Sequence, residues 1–330
     1  MDKGMYVEGK YRIIRKIGQG GMSCVYLAVE DISKMKVAVK EVKKNNSGNP
    51  ELFKCLYAEI HTLRKLTHPN LPKILDVVES NDRFFIVMDY IEGKTLSEVL
   101  EESGAQTQEN VVIWSLQLCG ILEYLHSRVP PIVYKDLKPS NVILKPEGKI
   151  VLIDFGTAGE YKSGNKSDTT NFGTVGYAAP EQFSGMGKTD IRTDIYCLGM
   201  TMYHLVTGLN PGEVKNGHHQ VRKINHSISR EMEKIIEKCT RKNPDDRYGS
   251  VSELIYVLEH LRGGKERKIE KFHRKKRGCT GKNNLTEPLC FDNDITRVLD
   301  EEFNISKYFW DKCGFQVVKK IKMINTEEII

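Results

Sequence analysis

Along the first ninety residues, apolar and polar positions alternate in short runs; from Leu96 onward the apolar positions recur at helical spacing. Tyr11–Ile17, Val25–Val29 and Val37–Val42 are rich in β-branched and aromatic residues and are separated by glycine or polar turns, which predicts three strands. Leu52 to Leu66 places Phe53, Leu56, Tyr57, Ile60, Leu63 and Leu66 close to a 3.6-residue period, which predicts a helix. Strand character returns at Ile74–Val78 and Phe84–Asp89. A small, mostly antiparallel sheet with one helix accounts for this stretch.

The following part reads as helical. Val111–His126 is amphipathic through Val112, Trp114, Leu116, Leu118, Leu122 and Leu125, and Asp194–Thr207 is apolar nearly all round, as a buried helix should be. Glu231–Thr240 and Ser252–Leu261 read as closing helices, the second opened by a capping serine. Gly263-Gly264 breaks the pattern, so the organised domain is expected to span 1–262, followed by a basic linker at 263–282 and a tail at 283–330. The tail alternates at Phe315, Val317, Ile321 and Met323 but is too short for a sizeable core of its own. No internal repeat is visible.

Composition narrows the class. Of 330 residues, 39% are hydrophobic and 28% charged, values of an ordinary globular protein that argue against disorder as the default. No stretch approaches the roughly 18 to 20 apolar residues that cross a bilayer, and Met1 to Tyr6 lacks the apolar core of a secretory signal. The expectation is a cytoplasmic protein without a transmembrane segment. The eight cysteines form no C-x-x-C pair and no zinc-finger spacing, which fits reduced thiols packed as small hydrophobes. The net charge of +6 is uneven: 265–282 carries nine Lys/Arg against Glu266 and Glu270, so the rest of the chain is nearly neutral.

Five short signals fall in one order. Gly18-Gln19-Gly20-Gly21-Met22-Ser23-Cys24-Val25 lies between two predicted strands, where glycines let backbone N–H groups approach phosphate oxygens. A glycine-rich hairpin turn is its plain reading, and a dinucleotide site is excluded because no helix follows. Val37-Ala38-Val39-Lys40 puts a lysine on an apolar strand, with Glu59 on the next helix able to pair with it. Tyr134-Lys135-Asp136-Leu137-Lys138-Pro139-Ser140-Asn141 gathers a base, a cation and an amide in one loop, and Ile153-Asp154-Phe155-Gly156 ends an apolar strand on a carboxylate. Ala179-Pro180-Glu181 follows, with Asp194 and Arg247 beyond it.

Together these motifs resemble the eukaryotic-type protein kinase family over about residues 8–262. His68-Pro69-Asn70-Leu71-Pro72, Asn243-Pro244-Asp245-Asp246-Arg247-Tyr248 and the Gly-Gln-Gly-Gly-Met opening look most like its bacterial branch. The resemblance implies an α+β, two-lobed protein kinase fold, with a β-rich N-lobe at about 8–89 and a helical C-lobe at about 93–262. It implies ATP and Mg²⁺, or Mn²⁺ in its place, as cofactors and protein substrates as partners. Gly18, Gln19, Gly20, Gly21, Met22 and Ser23 would cover the phosphates, while Ile17, Val25, Ala38 and Ile143 would sandwich the adenine. Lys40, held by Glu59, would bind the α/β phosphates; Met88 matches the gatekeeper, and Asp89 to Ile91 the hinge. Asp136 would be the catalytic base, Lys138 the γ-phosphate clamp, and Asn141 and Asp154 the metal ligands.

Three positions depart from the family pattern. Ser23 replaces the third glycine, Tyr134 the histidine and Lys135 the arginine before the base. Lysine cannot grip a phosphate bidentately, so activation-loop control is expected to be weaker. Lys138 and Thr174 match the serine/threonine branch, and self-phosphorylation is expected at Thr169 or Thr170. The basic run suits a solvated linker or an anionic lipid, nucleic acid or acidic partner, with no sequence-specific nucleic-acid site. Thr296 lies in a segment resembling threonine motifs that dock on forkhead-associated domains. The competing reading is a pseudokinase scaffold, supported by Tyr134 and Lys135 alone.

Overall fold

The alternating run folds into a six-stranded antiparallel sheet in the computed structural model, which describes residues 1–19, 23–43, 60, 64–80, 83–155, 159–160, 173–183, 188–214 and 220–263. Its strands are β1 (Tyr6–Val7), β2 (Tyr11–Gln19), β3 (Ser23–Glu30), β4 (Lys36–Lys43), β5 (Ile74–Glu79) and β6 (Arg83–Asp89), in the order β1-β2-β3-β4-β6-β5. The two-residue β1 is too short to leave a pattern in the sequence. β2 extends to Gln19 because pairing continues into the glycine-rich hairpin, with Gly18 opposite Val25 and Gln19 opposite Cys24.

Side chains alternate across the sheet. One face buries Tyr11, Ile13, Tyr26, Ala28, Val37, Val39, Phe85 and Val87. The other carries Val42, Phe84 and Ile86 against Ile60. Ile60, Arg64 and Lys65 are helical, which is the described part of the helix expected at Leu52–Leu66. Glu59, Gly20, Gly21, Met22, Thr169, Thr170, Thr296 and the basic run lie outside the described residues. The fold's contacts group Met1–Phe272 as one unit and His273–Ile330 as another.

β7 (Lys94–Thr95) leads into the helical part: α1 (Leu96–Ser103), α2 (Gln108–His126), α3 (Ile191–Thr207), α4 (Val221–Ile224), α5 (Arg230–Cys239) and α6 (251–263). β8 (Ile132–Val133), β9 (Val142–Leu144), β10 (Ile150–Leu152) and β11 (Gly159–Glu160) lie between α2 and α3. The helices begin earlier than apolar periodicity indicates because polar caps start them. Thr107 accepts the Asn110 amide before α2, and Asp190 accepts that of Arg192 before α3. Their apolar faces merge into one core, including Leu118, Leu122, Leu125, Leu198, Met202, Met232, Ile236, Leu254 and Leu258. At Gly199 a Cβ would lie 2.5 Å from the Cβ of Cys239, so glycine is what lets α3 and α5 approach this closely.

A buried ion pair closes this region. Arg247 grips Glu181 bidentately at 2.6 and 2.8 Å, with side chains 0% and 4% exposed. Thr193 Oγ1 donates to the same carboxylate at 2.9 Å, and Arg247 also donates to the carbonyls of Arg241, Arg192 and Lys242. Every polar end in the cluster is met, so removing one partner strands a buried charge. Arg247→Met is expected to lower unfolding free energy by about 3–5 kcal/mol in urea titrations; a loss below about 1 kcal/mol would show that the pair is not the clamp described here.

Candidate active site

The second face of the sheet assembles the nucleotide-binding candidates. Cross-strand partners share a face, and Val25 lies opposite Lys40, Ala38 opposite Met88, and Lys40 opposite Ile86. Val25, Ala38, Lys40 and Met88 therefore line one surface, with Gly18 across from Val25 at its rim. Ala38 is buried and Ile17 is 37% exposed beside the hairpin. At the end of β6, Asp89 is tied to Lys73: its amide donates to the Lys73 carbonyl at 3.1 Å and its carboxylate accepts the Lys73 amide at 3.0 Å. This pins the start of the expected hinge at Asp89 to Ile91. Ile143 sits on β9, between β10 and β7.

The loop after β8 gathers the groups expected to do chemistry. The Asp136 carboxylate is held at both oxygens: Thr174 Oγ1 donates to Oδ1 at 2.7 Å, and Lys138 Nζ donates to Oδ2 at 2.7 Å. Lys138 also donates to Thr174 Oγ1 at 2.6 Å. Asn141 Nδ2 donates to the Asp136 carbonyl and to Oδ2, at 2.9 and 3.0 Å, which turns its amide oxygen away from Asp136. The 3₁₀ turn Pro139–Asn141 sets this short spacing.

The backbone of the loop is anchored from below. Asp194 on α3 is fully buried and accepts the amides of Tyr134 and Lys135 at 2.9 and 2.7 Å. His126, the last residue of α2, places Nε2 2.8 Å from the same carboxylate. Lys135 sits at φ 70°, a left-handed conformation uncommon for a non-glycine residue. Two buried-carboxylate hydrogen bonds flank that residue and stabilise the strained turn. The sequence marks Asp194 without its role and does not single out His126, which stands at the end of an amphipathic helix.

Asp154 faces this loop from the end of the β10 segment, also at positive φ (66°). Its carboxylate is 48% exposed and lies 3.1 Å from Lys40 Nζ, so the ammonium of the sheet meets the carboxylate of the helical part. Phe155 behind it is buried against Tyr134, ring centroids 5.1 Å apart at 77°.

The segment 173–183 forms the outer wall. Gln182 Nε2 donates to the Lys135 carbonyl at 2.9 Å, joining the wall to the loop after β8. Gly176 has φ 88°, and a Cβ there would lie 2.3 Å from the Gly212 nitrogen, so the wall can pass the 210–212 turn only with glycine. Tyr177 hydrogen-bonds His204 Nδ1, and burial holds the His204 pKa below its ordinary value. Val175 is left 70% exposed beside the Asp136 cluster.

Comparison with known proteins agrees with this geometry. Residues 11–260 match the model of the protein kinase domain. A probable serine/threonine-protein kinase of Clostridium perfringens is 33% identical over 271 residues, covering 78% of this chain and 39% of that protein. Serine/threonine-protein kinase PrkC of Bacillus subtilis is 32% identical over 263 residues, 76% of this chain and 40% of its own length. A probable kinase PknB of Lactococcus lactis is 28% identical over 265 residues, 76% of this chain and 42% of its own. The chain thus spans well under half the length of these curated relatives. With the two-lobed α+β fold and the ordered motifs already described, the chain belongs to the protein kinase domain family, on its bacterial serine/threonine branch.

Proposed function

We propose that this chain transfers the γ-phosphoryl group of ATP to serine and threonine hydroxyls of proteins, itself included. The observation that carries the reading is the Asp136 carboxylate held between Lys138, Thr174 and Asn141, with Lys40 and Asp154 opposite. Phosphoryl transfer asks the protein for positioning and charge neutralisation more than for covalent chemistry. Asp136 orients an incoming hydroxyl and accepts its proton. Lys138, already beside that carboxylate, neutralises charge on the transferring group as the hydroxyl attacks. Lys40 supplies a second cation on the nucleotide side.

Asn141 and Asp154 offer hard oxygen donors, a set that suits Mg²⁺, or Mn²⁺ in its place, more than a soft or nitrogen-seeking metal. When bound with nucleotide, such an ion neutralises the β and γ phosphate oxygens. A two-donor protein set fits an ion that keeps most of its shell on phosphate and water.

Tyr134 and Lys135 do not favour a scaffold without catalysis, because their backbone amides hold the loop to Asp194 and the groups around Asp136 are all in place. Cytoplasmic residence belongs to the same reading: Cys119, Cys197 and Cys239 are buried free thiols. Among the described residues no helix is long and apolar enough to cross a membrane. Thr169 and Thr170 are the proposed self-phosphorylation sites. The basic run and Thr296 are the proposed contacts to an acidic surface and to a forkhead-associated domain.

Incubated with ATP and Mg²⁺, the protein is expected to label serine and threonine and to stop in excess chelator; mainly phosphotyrosine, or undiminished turnover in chelator, would overturn the reading. Asp154→Asn is expected to reduce transfer to below about 1% with the unfolding midpoint within a few degrees of wild type. Thr174→Val should slow turnover by about tenfold or more, whereas Thr174→Ser, which keeps the hydroxyl, should stay within about threefold. Equal rates for the two Thr174 variants would show that its hydroxyl bonds do not matter to the reaction.

A further inference from the structure

The carbonyls of Lys135, Asp136, Leu137 and Lys138 lie in a stretch that belongs to no strand or helix. Their hydrogen bonds must therefore come from elsewhere, and each carbonyl finds its own donor. That of Lys135 accepts Gln182 Nε2 at 2.9 Å, and that of Asp136 accepts Asn141 Nδ2 at 2.9 Å. The Lys138 carbonyl accepts the Asn141 amide at 3.0 Å. The Leu137 carbonyl is met from below, by the hydroxyl of Thr201 on α3 at 3.1 Å. Thr201 belongs to none of the motifs that mark the site.

Leu137 and Thr201 are both fully buried, so bulk water does not replace this donor if it is lost. Thr201 Oγ1 also lies 2.8 Å from the Cys197 carbonyl, one turn back on α3. That carbonyl already accepts an amide of the helix ladder. Among the described residues, by contrast, Thr201 is the one donor that reaches the Leu137 carbonyl. The hydroxyl proton therefore stabilises most when it points at Leu137. Asp194 and Thr201 stand two turns apart on one side of α3. The first takes the amides that precede Asp136, and the second takes the carbonyl that follows it.

We propose that the Thr201 hydroxyl is a positioning group for the reaction: by holding the Leu137 carbonyl it fixes the peptide from which Lys138 springs, and so sets the Lys138 ammonium against Asp136 and Thr174. Lys138 is extended, with φ −155° and ψ 161°. The carbonyls on both sides of its Cα are held, one by Thr201 and one by the Asn141 amide. A lysine stem is long and flexible, so its ammonium is placed well only from a fixed root. From this root Nζ reaches Asp136 Oδ2 at 2.7 Å and Thr174 Oγ1 at 2.6 Å. Without the hydroxyl, the Leu137 carbonyl is a stranded buried acceptor, and the peptide turns toward another donor, taking the lysine with it. This inference rests on the kinase reading above, in which Lys138 neutralises charge on the transferring group. Its effect therefore falls on turnover and not on nucleotide binding, which that reading gives to the sheet.

Thr201→Val tests it, because valine keeps the branched shape and replaces the hydroxyl by a methyl. The full chain, wild type and variant, would be assayed for transfer from ATP to a generic basic protein, with folding checked by circular dichroism at the assay temperature. The variant is expected to lose about tenfold or more in kcat, with KM for ATP and for the acceptor within about twofold of wild type. Thr201→Ser, which keeps the donor, should stay within about threefold in kcat. Thr201→Ala set against Thr201→Ser repeats the comparison without the added methyl, so the test stands even if valine does not fold there. Alanine should be slower than serine by about fivefold or more. Unchanged kcat in folded Thr201→Val would overturn the proposal, as would equal rates for the serine and alanine variants, or a loss that appears in the KM for ATP and not in kcat. If wild type transfers no phosphate from ATP, the kinase reading fails first and this inference with it.

Discussion

One buried carboxylate carries the site. Asp194 has no exposure to solvent, and its carboxylate is met by two backbone amides and a histidine nitrogen. A carboxylate buried this deeply is tolerated only when hydrogen bonds replace its hydration. Those bonds form where the chain bends at Lys135 into positive φ, one residue before the buried Asp136. The strain at Lys135 and the burial of the charge beneath it thus offset each other. Neither has an evident reason to persist alone.

From that anchor the other parts follow by short links. Asp136 is gripped from its own loop by Lys138 and Asn141 and from the outer wall by Thr174. The wall is fastened by Gln182 to the Lys135 carbonyl and, one residue earlier, by Glu181 to Arg247 in the core. The sheet contributes the ion pair of Lys40 with Asp154, made between the two lobes. The Asp136 loop is fastened to a helix, through Asp194 of α3. The Lys40 cation is built on a strand.

Much of this was legible in the chain before any coordinates. Strands and helices showed in their periods, because a half-buried sheet and a buried helix impose alternation and 3.6-residue spacing on apolar residues. The candidate site was proposed from five motifs, because phosphate and metal chemistry favours glycine, lysine, aspartate and asparagine at fixed intervals. What stayed hidden depends on contacts between distant residues with ordinary identities. Nothing in the local sequence says that His126 meets Asp194, that Gln182 reaches Lys135, or that a tyrosine hydroxyl finds the Ile153 carbonyl. Gly199 and Gly176 are likewise silent in sequence and necessary in space, since each marks a close approach to another element. Two helix starts were missed for a simpler reason: polar caps such as Thr107 and Asp190 precede the apolar pattern they begin.

The buried Asp194 carboxylate holds the loop at Tyr134 and Lys135 in its bent conformation. Amide hydrogen exchange at Tyr134 and Lys135 tests it most directly, comparing wild type with Asp194→Asn. The asparagine keeps the size of the side chain but replaces one acceptor oxygen with a donor that faces an amide. These two amides are expected to be among the protected ones in wild type and to exchange at least about a hundredfold faster in the variant, while amides in the middle of α3 stay protected. Protection at residues 134 and 135 that is unchanged by the substitution would contradict it.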